Sequence, residues 1–457
     1  MVPLAALLSE SGHRITGSDL DLYPPMSTLL AGLRIPVARG FAAEHVPPDA
    51  DIVIVGNAAT RDNPESLEAA RRGLPVLSMP QAIARFLLPG KTSVVVTGTH
   101  GKTTTSALTA WLLSDAGRHP GFLVGGQMQN FGRGYARGSG PHFVLEGDEY
   151  NAAFFDRGPK FLHYEPRHLF IGNIEYDHAD LYPNLESVSD AFRKVAALVP
   201  PEGALVINAD DPRVSEAIRG APAPLVRVSV TDPSADFAAA DIRFHSGGTE
   251  FLLIDAGQPT LPLSSPLHGL HNVSNALGAI ALTRGLGLTA SEIARSLPRF
   301  EGVARRLQIV AEVNNIYIVD DFAHHPTAVR STLQAARARW PGRRIWAMFE
   351  PRSNTAGRRI FQADYENAFA LADAAVLAPV FHAKRLAADA ILDREAIAER
   401  FRGSGKPGFA PSALADIPDI VREHARPGDV LILMSSGAFG GLPATLKEEL
   451  ARTPSRS

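Results

Sequence analysis

A glycine-containing turn with a lysine and several threonines is the strongest chemical signal in the sequence. The segment TGTHGKTTT, residues 97–105, lies between an apolar run and a stretch with helical spacing. A turn between a strand and a helix points backbone N–H groups and the positive end of the helix at an anion. Lys102 can reach the terminal phosphates of a nucleotide, and the Thr103 hydroxyl can ligate Mg²⁺. Val96 occupies the place of the first glycine of the strict phosphate-loop pattern, but the turn still predicts a nucleotide-phosphate site.

Two further apolar runs end in acidic and histidine side chains. One ends at Glu146, with Asp148 and Glu149 just beyond it, and the other leads into NIEYDHAD, residues 173–180, which contains His178. The carboxyl ends of parallel strands meet at one edge of a sheet, so these groups should lie near Lys102. Carboxylate oxygens with one imidazole suit Mg²⁺ or Mn²⁺. Any single acid here can instead be a solvated loop charge.

The pattern around these motifs alternates short apolar strands with helices, which is typical of α/β domains. We predict three domains, covering residues 1–88, 89–301 and 302–457. Helices are expected at residues 2–11, 66–72 and 102–116. Strands are expected at residues 15–19, 51–56, 75–78, 92–97 and 428–434, with a hairpin around Asn314 and Asn315.

The composition excludes several classes of function. The chain has 457 residues, no cysteine, 45% hydrophobic and 20% charged residues, and a net charge of −3. Without cysteine there is no disulfide, thiolate catalysis or cysteine-ligated metal. The charge balance predicts no nucleic-acid or membrane partner, and no apolar run approaches the roughly 18 residues of a membrane span. We expect a cytoplasmic protein whose first residues form a helix.

Taken together, the motifs resemble those of the Mur ligase family over essentially the whole chain. GTHGKTT (98–104), the strand end at Glu146, NIEYDH (173–178), GLHNVSNA (269–276) and DDFAHHPT (320–327) occur in the family's order. The last of these resembles the branch that uses UDP-N-acetylmuramate. FEPRSNT (349–355), MSSGAFGG (434–441), YPPMS (23–27) and GNA (56–58) are similar to members that attach a tripeptide.

This resemblance implies both a fold and a reaction. The fold is an N-terminal Rossmann-like domain that lacks its first strand and glycine-rich turn here, a central P-loop ATPase-type sheet and a C-terminal Rossmann-like domain. The reaction is the ATP-dependent joining of UDP-N-acetylmuramate to L-alanyl-γ-D-glutamyl-meso-diaminopimelate through an acyl phosphate, with Mg²⁺ or Mn²⁺, in peptidoglycan (murein) recycling. We expect a monomer or weak homodimer.

Three alternatives stay open. The same fold can serve as a UDP-N-acetylmuramate–L-alanine ligase of de novo peptidoglycan synthesis. The phosphate loop alone would also fit a kinase or nucleotide switch, or a nucleotide-binding module without catalysis.

The resemblance also assigns roles to residues. Catalysis is expected of Lys102, Glu146, His178 and Arg305. ATP contacts are expected from Gly98, Thr99, His100, Gly101, Lys102, Thr103, Thr104, Asn272, Asn275 and Asp320. The metal ligands would be Thr103, Glu146 and His178. The UDP-sugar site would include Ser18, Asp19, Asn57 and Ala58, and the peptide site Arg352, Ser353 and Asn354. For His324 and His325, a structural role and contact with phosphate or substrate are both open.

Overall fold

The computed structural model describes residues 1–22, 26–179, 181–353 and 355–452. Short parallel strand pairs form its N-terminal part. The elements are α1 (Val2–Glu10), β1 (Gly17–Asp19), α2 (Met26–Leu33), β2 (Val37–Arg39), β3 (Val53–Val55), α3 (Pro64–Arg71), β4 (Val76–Ser78) and α4 (Met79–Phe86). The predicted strands are confirmed, but β1 and β3 are shorter than expected. β1 pairs only with β2, and β3 only with β4. Among the described residues the two pairs are separate, which agrees with the expected Rossmann-like fold that lacks its first strand, since the Rossmann strand order places that strand between these pairs.

A ten-stranded sheet forms the central part. Its strands are β5 (Thr92–Thr97), β6 (Gly121–Met128), β7 (Arg133–Ala136), β8 (His142–Glu146), β11 (His168–Ile171), β12 (Ala204–Asn208), β13 (Leu225–Ser229), β14 (Phe237–His245), β15 (Gly248–Asp255) and β16 (Gln258–Ser265); β9 (Asn151–Ala153) and β10 (Asp156–Pro159) form a separate hairpin. Its helices are α5 (Lys102–Asp115), α6 (Leu185–Ala197), α7 (Pro212–Ala217), α8 (Leu270–Gly285) and α9 (Ala290–Ser296).

The order of the central strands positions the chemistry. The order is β16-β15-β14-β13-β12-β11-β5-β8-β6-β7, so β5 lies between β8 and β11 and is parallel to both. In register, Val96 faces Glu146 and Thr97 faces Ile171. The phosphate loop therefore leaves the sheet beside both polar strand ends, as the sequence predicted. Helices α5 and α8 cover one face of this sheet, while α1, α4 and α6 cover the other.

The C-terminal part is a six-stranded sheet with helices on both faces. It contains β17 (Gln308–Val313), β18 (Ile316–Asp321), β19 (Ile345–Phe349), β20 (Ala374–Leu377), β21 (Gly408–Phe409) and β22 (Val430–Met434), with α10 (Pro326–Arg339), α11 (Gln362–Phe369), α12 (Arg394–Gly403), α13 (Ile417–His424) and α14 (Leu442–Arg452). The order is β17-β18-β22-β19-β20-β21, parallel except for the β17–β18 hairpin. Asn314 and Asn315 turn that hairpin with φ of 51° and 60°, so the predicted hairpin is confirmed.

The expected α/β class is confirmed, while the boundaries near residues 89 and 302 stay predictions. Within the described ranges, every helix is too short or too polar to cross a lipid bilayer.

Close packing of α8 on the sheet gives a stability prediction. A methyl group on Gly278 would lie 2.5 Å from the Phe170 ring of β11, whereas one on Gly285, at the end of the same helix, would meet open space. We expect Gly278→Ala to destabilise the protein by about 1–3 kcal/mol through overpacking. Gly285→Ala should be neutral or slightly stabilising, because alanine favours a helix by up to about 1 kcal/mol over glycine. Thermal unfolding of the two variants checks this, and equal melting temperatures would contradict it.

Candidate active site

The phosphate loop is held by two glycines with left-handed backbone conformations. Gly98 has φ +137°, and a Cβ there would lie 3.0 Å from the backbone nitrogens of Gly172 and Asn173. Gly101 has φ +82°, and a Cβ there would collide with the side chain of Asn275 on α8. Any side chain at either position would displace the loop or its neighbours, so only glycine fits.

Lys102 folds back into this loop. Its Nζ donates to the carbonyl oxygens of Gly98 (2.7 Å) and Thr99 (3.1 Å), and to both carboxylate oxygens of Glu149 (2.9 and 3.1 Å). Burial would lower the pKa of Lys102, but the carboxylates of Glu149, Asp148 and Glu146 outweigh burial and raise it. The ammonium is therefore charged and stands where a nucleotide phosphate would approach.

Glu149 joins two of the predicted catalytic residues, although the sequence assigned it no role. Its side chain is 2% exposed, and Oε1 lies 3.1 Å from Nε2 of His178. Burial would raise the pKa of Glu149, but the Lys102 ammonium and the hydrogen bond to His178 lower it to about 2. The same contact and nearby Asp177 raise the pKa of His178 against the effect of burial. The only sequence signal for Glu149 was its place among three acids after a buried strand.

Thr103 and Glu146 lie together, as expected for a shared metal ion. The Thr103 hydroxyl donates to Oε1 of Glu146 at 2.9 Å, and the Gly125 amide donates to Oε2 at 2.6 Å. Two oxygens on adjacent corners of an Mg²⁺ octahedron with bonds of about 2.0–2.1 Å stand about 2.9 Å apart, so this pair fits Mg²⁺. His178, the third expected ligand, contacts Glu149 and Asp177 in this arrangement rather than Glu146.

Two consecutive arginines link the C-terminal sheet to the loop. Arg305, expected to take part in catalysis, lies 3.2 Å from Oδ2 of Asp320 and donates to the Ser435 carbonyl at 2.7 Å. Its neighbour Arg306 instead donates to the Thr103 hydroxyl at 3.1 Å. Asp320, expected to contact ATP, is paired with Arg305 here. Sequence reasoning missed Arg306, since only the fold shows which arginine of the pair faces the loop.

The structure also describes the two histidines whose roles were open. Nδ1 of His324 lies 3.0 Å from the Phe322 carbonyl. His325 caps α10, with Nδ1 accepting from the Thr327 amide at 3.4 Å. Both have structural contacts in this arrangement.

A cleft of about 1820 Å³ joins the three parts of the chain. Most expected site residues line it: Thr99, His100, Gly101, Lys102, Thr103, Thr104, Glu146, His178, Asn272, Asn275, Arg305, Arg352 and Ser353. The lining does not include Gly98, Asp320, Ser18, Asp19, Asn57 or Ala58. Asn354 and part of the segment at residues 23–27 lie outside the described residues.

The N-terminal residues assigned to the UDP-sugar lie at strand ends and are not among the residues that line this cleft. Ser18 and Asp19 close β1, and the Ser18 hydroxyl donates to Glu65 at 2.6 Å. Asn57 and Ala58 follow β3. The N-terminal part contributes apolar residues such as Met1, Met26 and Leu29 to the lining of the cleft.

Three family models match the chain in succession. They are the catalytic domain of the Mur ligase family (residues 1–89), the Mur ligase middle domain (96–283) and the Mur ligase glutamate ligase domain (305–437).

Full-length relatives have two different names. The UDP-N-acetylmuramate–L-alanyl-γ-D-glutamyl-meso-2,6-diaminoheptandioate ligase of Escherichia coli K12 is 36% identical over 450 residues, covering 98% of this chain and 95% of its own. A UDP-N-acetylmuramate–L-alanine ligase of Rubrobacter xylanophilus is 36% identical over 440 residues, covering 96% and 94%.

Solved structures agree with the fold. The murein peptide ligase of Psychrobacter arcticus superposes with a TM-score of 0.73 at 32% identity, covering 99% of this chain and 97% of that one. The UDP-N-acetylmuramate–alanine ligase of Thermotoga maritima gives a TM-score of 0.79 at 25% identity, covering 98% and 95%. The three-domain architecture expected from the sequence is thereby confirmed.

The buried Lys102–Glu149 pair predicts a nucleotide-dependent stability effect. Glu149→Gln removes the carboxylate charge beside a buried ammonium, so we expect a loss of up to about 3 kcal/mol without nucleotide. Phosphate oxygens can replace the lost charge, so the loss should shrink with Mg²⁺ and ATP. Thermal unfolding with and without nucleotide measures both values. Glu448→Gln, at an exposed pair with Arg452, is the control and should change little. An equal loss in both conditions would show that Glu149 does not neutralise Lys102.

Proposed function

This chain belongs to the Mur ligase family, and we propose that it joins UDP-N-acetylmuramate to L-alanyl-γ-D-glutamyl-meso-diaminopimelate. As a member it is an ATP-dependent carbon–nitrogen ligase. The observation that carries the proposal is the cleft itself, which is lined by Lys102 and the Thr103–Glu146 pair and also by Arg352 of the C-terminal part. We assign the reaction to peptidoglycan recycling in the cytoplasm.

The first step activates a carboxylate. An oxygen of the lactyl carboxylate of UDP-N-acetylmuramate attacks the γ-phosphorus of ATP, and the bond from that phosphorus to ADP breaks. Both reactants are anionic, so the buried Lys102 ammonium lowers their repulsion. Thr103 and Glu146 would hold Mg²⁺, which supplies further positive charge to the phosphates. His178 is held by Glu149 at the same edge and would join this site when substrate enters.

The second step forms the amide. The amine of the tripeptide's L-alanine attacks the carbonyl carbon of the acyl phosphate, inorganic phosphate leaves, and the amine loses a proton. Water would compete for the acyl phosphate, so the site must be closed during this step. Two contacts between the central and C-terminal parts support closure: Thr327 donates to Glu175 at 2.7 Å, and Arg306 to Thr103 at 3.1 Å.

Positive side chains in the C-terminal wall support an anionic acceptor. The tripeptide has three free carboxylates, whereas L-alanine has one. Arg352 and Arg385 both line the cleft there, and the Arg352 guanidinium stacks 3.8 Å over the Phe381 ring. A stacked guanidinium is pre-oriented for bidentate contact with a carboxylate. Ser353 lies beside it and accepts from the Ala356 amide at 3.0 Å.

The carboxyl ends of β1 and β3 support a uridine site. Parallel sheets bind ligands beyond these ends, where Ser18, Asp19, Asn57 and Ala58 lie.

Acceptor choice distinguishes the proposal from its alternative. With UDP-N-acetylmuramate, ATP and Mg²⁺, we expect phosphate release to be at least about tenfold more efficient with the tripeptide than with L-alanine, because each further paired carboxylate is worth about 1.5 kcal/mol or more. Lys102→Ala should lose activity by about 100-fold or more. Efficient turnover with L-alanine alone would favour the L-alanine ligase, and phosphate release without any amine would favour a simple nucleotide hydrolase.

Arg352 gives a separate prediction for the peptide site. Arg352→Lys keeps the charge but removes the planar pair of donors, so KM for the tripeptide should rise about tenfold, equivalent to about 1.4 kcal/mol. KM for ATP should not change. Arg359→Lys, at an exposed position of the same domain, is the matched control. An unchanged tripeptide KM in the Arg352 variant would remove Arg352 from the peptide site.

A further inference from the structure

Three side chains converge where the phosphate loop meets the C-terminal domain. His100 comes from the loop, Glu175 follows β11, and His325 precedes α10. One ligand atom from each lies within 4.8 Å of the other two. Nε2 of His100 is 3.3 Å, and Nδ1 of His325 is 3.5 Å, from the same oxygen, Oε2 of Glu175.

These separations also match those between the ligands of a metal ion. The His100 contact is a long hydrogen bond and the His325 contact is longer still, whereas good hydrogen bonds between nitrogen and oxygen measure about 2.7–3.2 Å. In a tetrahedral zinc site with bonds of about 2.0–2.2 Å, neighbouring ligand atoms stand about 3.3–3.5 Å apart. The two nitrogen–oxygen separations therefore match edges of that tetrahedron, and the ligand atoms of the two imidazoles lie within 4.8 Å of each other.

The chemical types of the three ligands suit a metal ion, because transition metals bind imidazole nitrogens together with carboxylate oxygens. The Arg213 guanidinium lies 4.0 Å from the other Glu175 oxygen.

Neighbouring groups fix the orientation of the ligands. The Thr327 hydroxyl donates to Oε2 of Glu175 at 2.7 Å, and the Glu175 amide donates to the Thr99 hydroxyl at 2.8 Å. The Thr327 amide contacts Nδ1 of His325 at 3.4 Å, and an ion bound to Nδ1 would replace this long contact. The His325 ring is 5% exposed and packs edge-on against Phe361. Such outer contacts commonly orient metal ligands.

We propose that His100, Glu175 and His325 form a binding site for a transition-metal ion such as Zn²⁺ or Co²⁺. It is separate from the oxygen pair of Thr103 and Glu146, because two imidazoles select softer ions than Mg²⁺. Its ligands come from two domains, so the ion binds only when the domains meet. It therefore stabilises the closed arrangement and slows the opening that each turnover needs.

The direct test uses Co²⁺ alone, without nucleotide or substrate, so it does not depend on the proposed function. Wild-type protein should bind one equivalent with the visible absorption of a four-coordinate ion, and Zn²⁺ should displace it. His325→Asn retains the ability to cap α10, and we expect it to bind at least tenfold more weakly, as should His100→Asn. Glu146→Gln should bind normally, because it alters only the oxygen pair.

Clear outcomes overturn the proposal. A wild-type protein without the four-coordinate spectrum would do so. The same holds if Glu146→Gln abolishes binding while His325→Asn and His100→Asn retain it. Circular dichroism of each variant verifies folding. Because two histidine variants are used, the test remains valid if one of them does not fold.

Inhibition gives a second readout. With Mg²⁺ in excess, micromolar Zn²⁺ should inhibit ATP turnover reversibly, and a chelator should restore it. In His325→Asn, measured against its own metal-free rate, the inhibiting concentration should rise at least tenfold. Equal inhibition of both proteins would place the inhibitory ion elsewhere.

Discussion

The buried contact between the Lys102 ammonium and the Glu149 carboxylate is the interaction on which the site depends. An unpaired charge at this depth would be unstable, and the pair resolves that problem while leaving the lysine at the mouth of the loop. The strand order makes the contact possible, because β5 lies between β8 and β11. One sheet edge thereby collects the lysine, the acids and His178.

The parts that the sequence predicted well are those fixed by local physics. Strand β5 is a buried run that ends at a glycine turn, and the Asn314-Asn315 turn needs left-handed residues, so both were located from the chain alone. The roles of Glu149 and Arg306 depend on contacts across 47 and 203 residues, which no local pattern encodes.

The similarity to both kinds of UDP-N-acetylmuramate ligase has a physical explanation. Activation of the carboxylate is the same in each, so the phosphate loop and acidic strand ends are shared. The acceptors differ mainly in size and negative charge, and the residues around Arg352 in the C-terminal wall of the cleft are placed to distinguish them. Overall identity cannot separate the two, because both relatives stand at 36%.

The neighbouring arginines at the start of the last domain have a mechanical consequence. Arg305, with φ of 62°, is anchored to Asp320 and Ser435, while the next side chain crosses to Thr103. Because one peptide bond joins these two arginines, movement of the C-terminal part relative to the central part directly displaces the side chain that contacts Thr103. Inserting one residue between Arg305 and Arg306 would leave both parts folded but would uncouple that movement from the contact with Thr103.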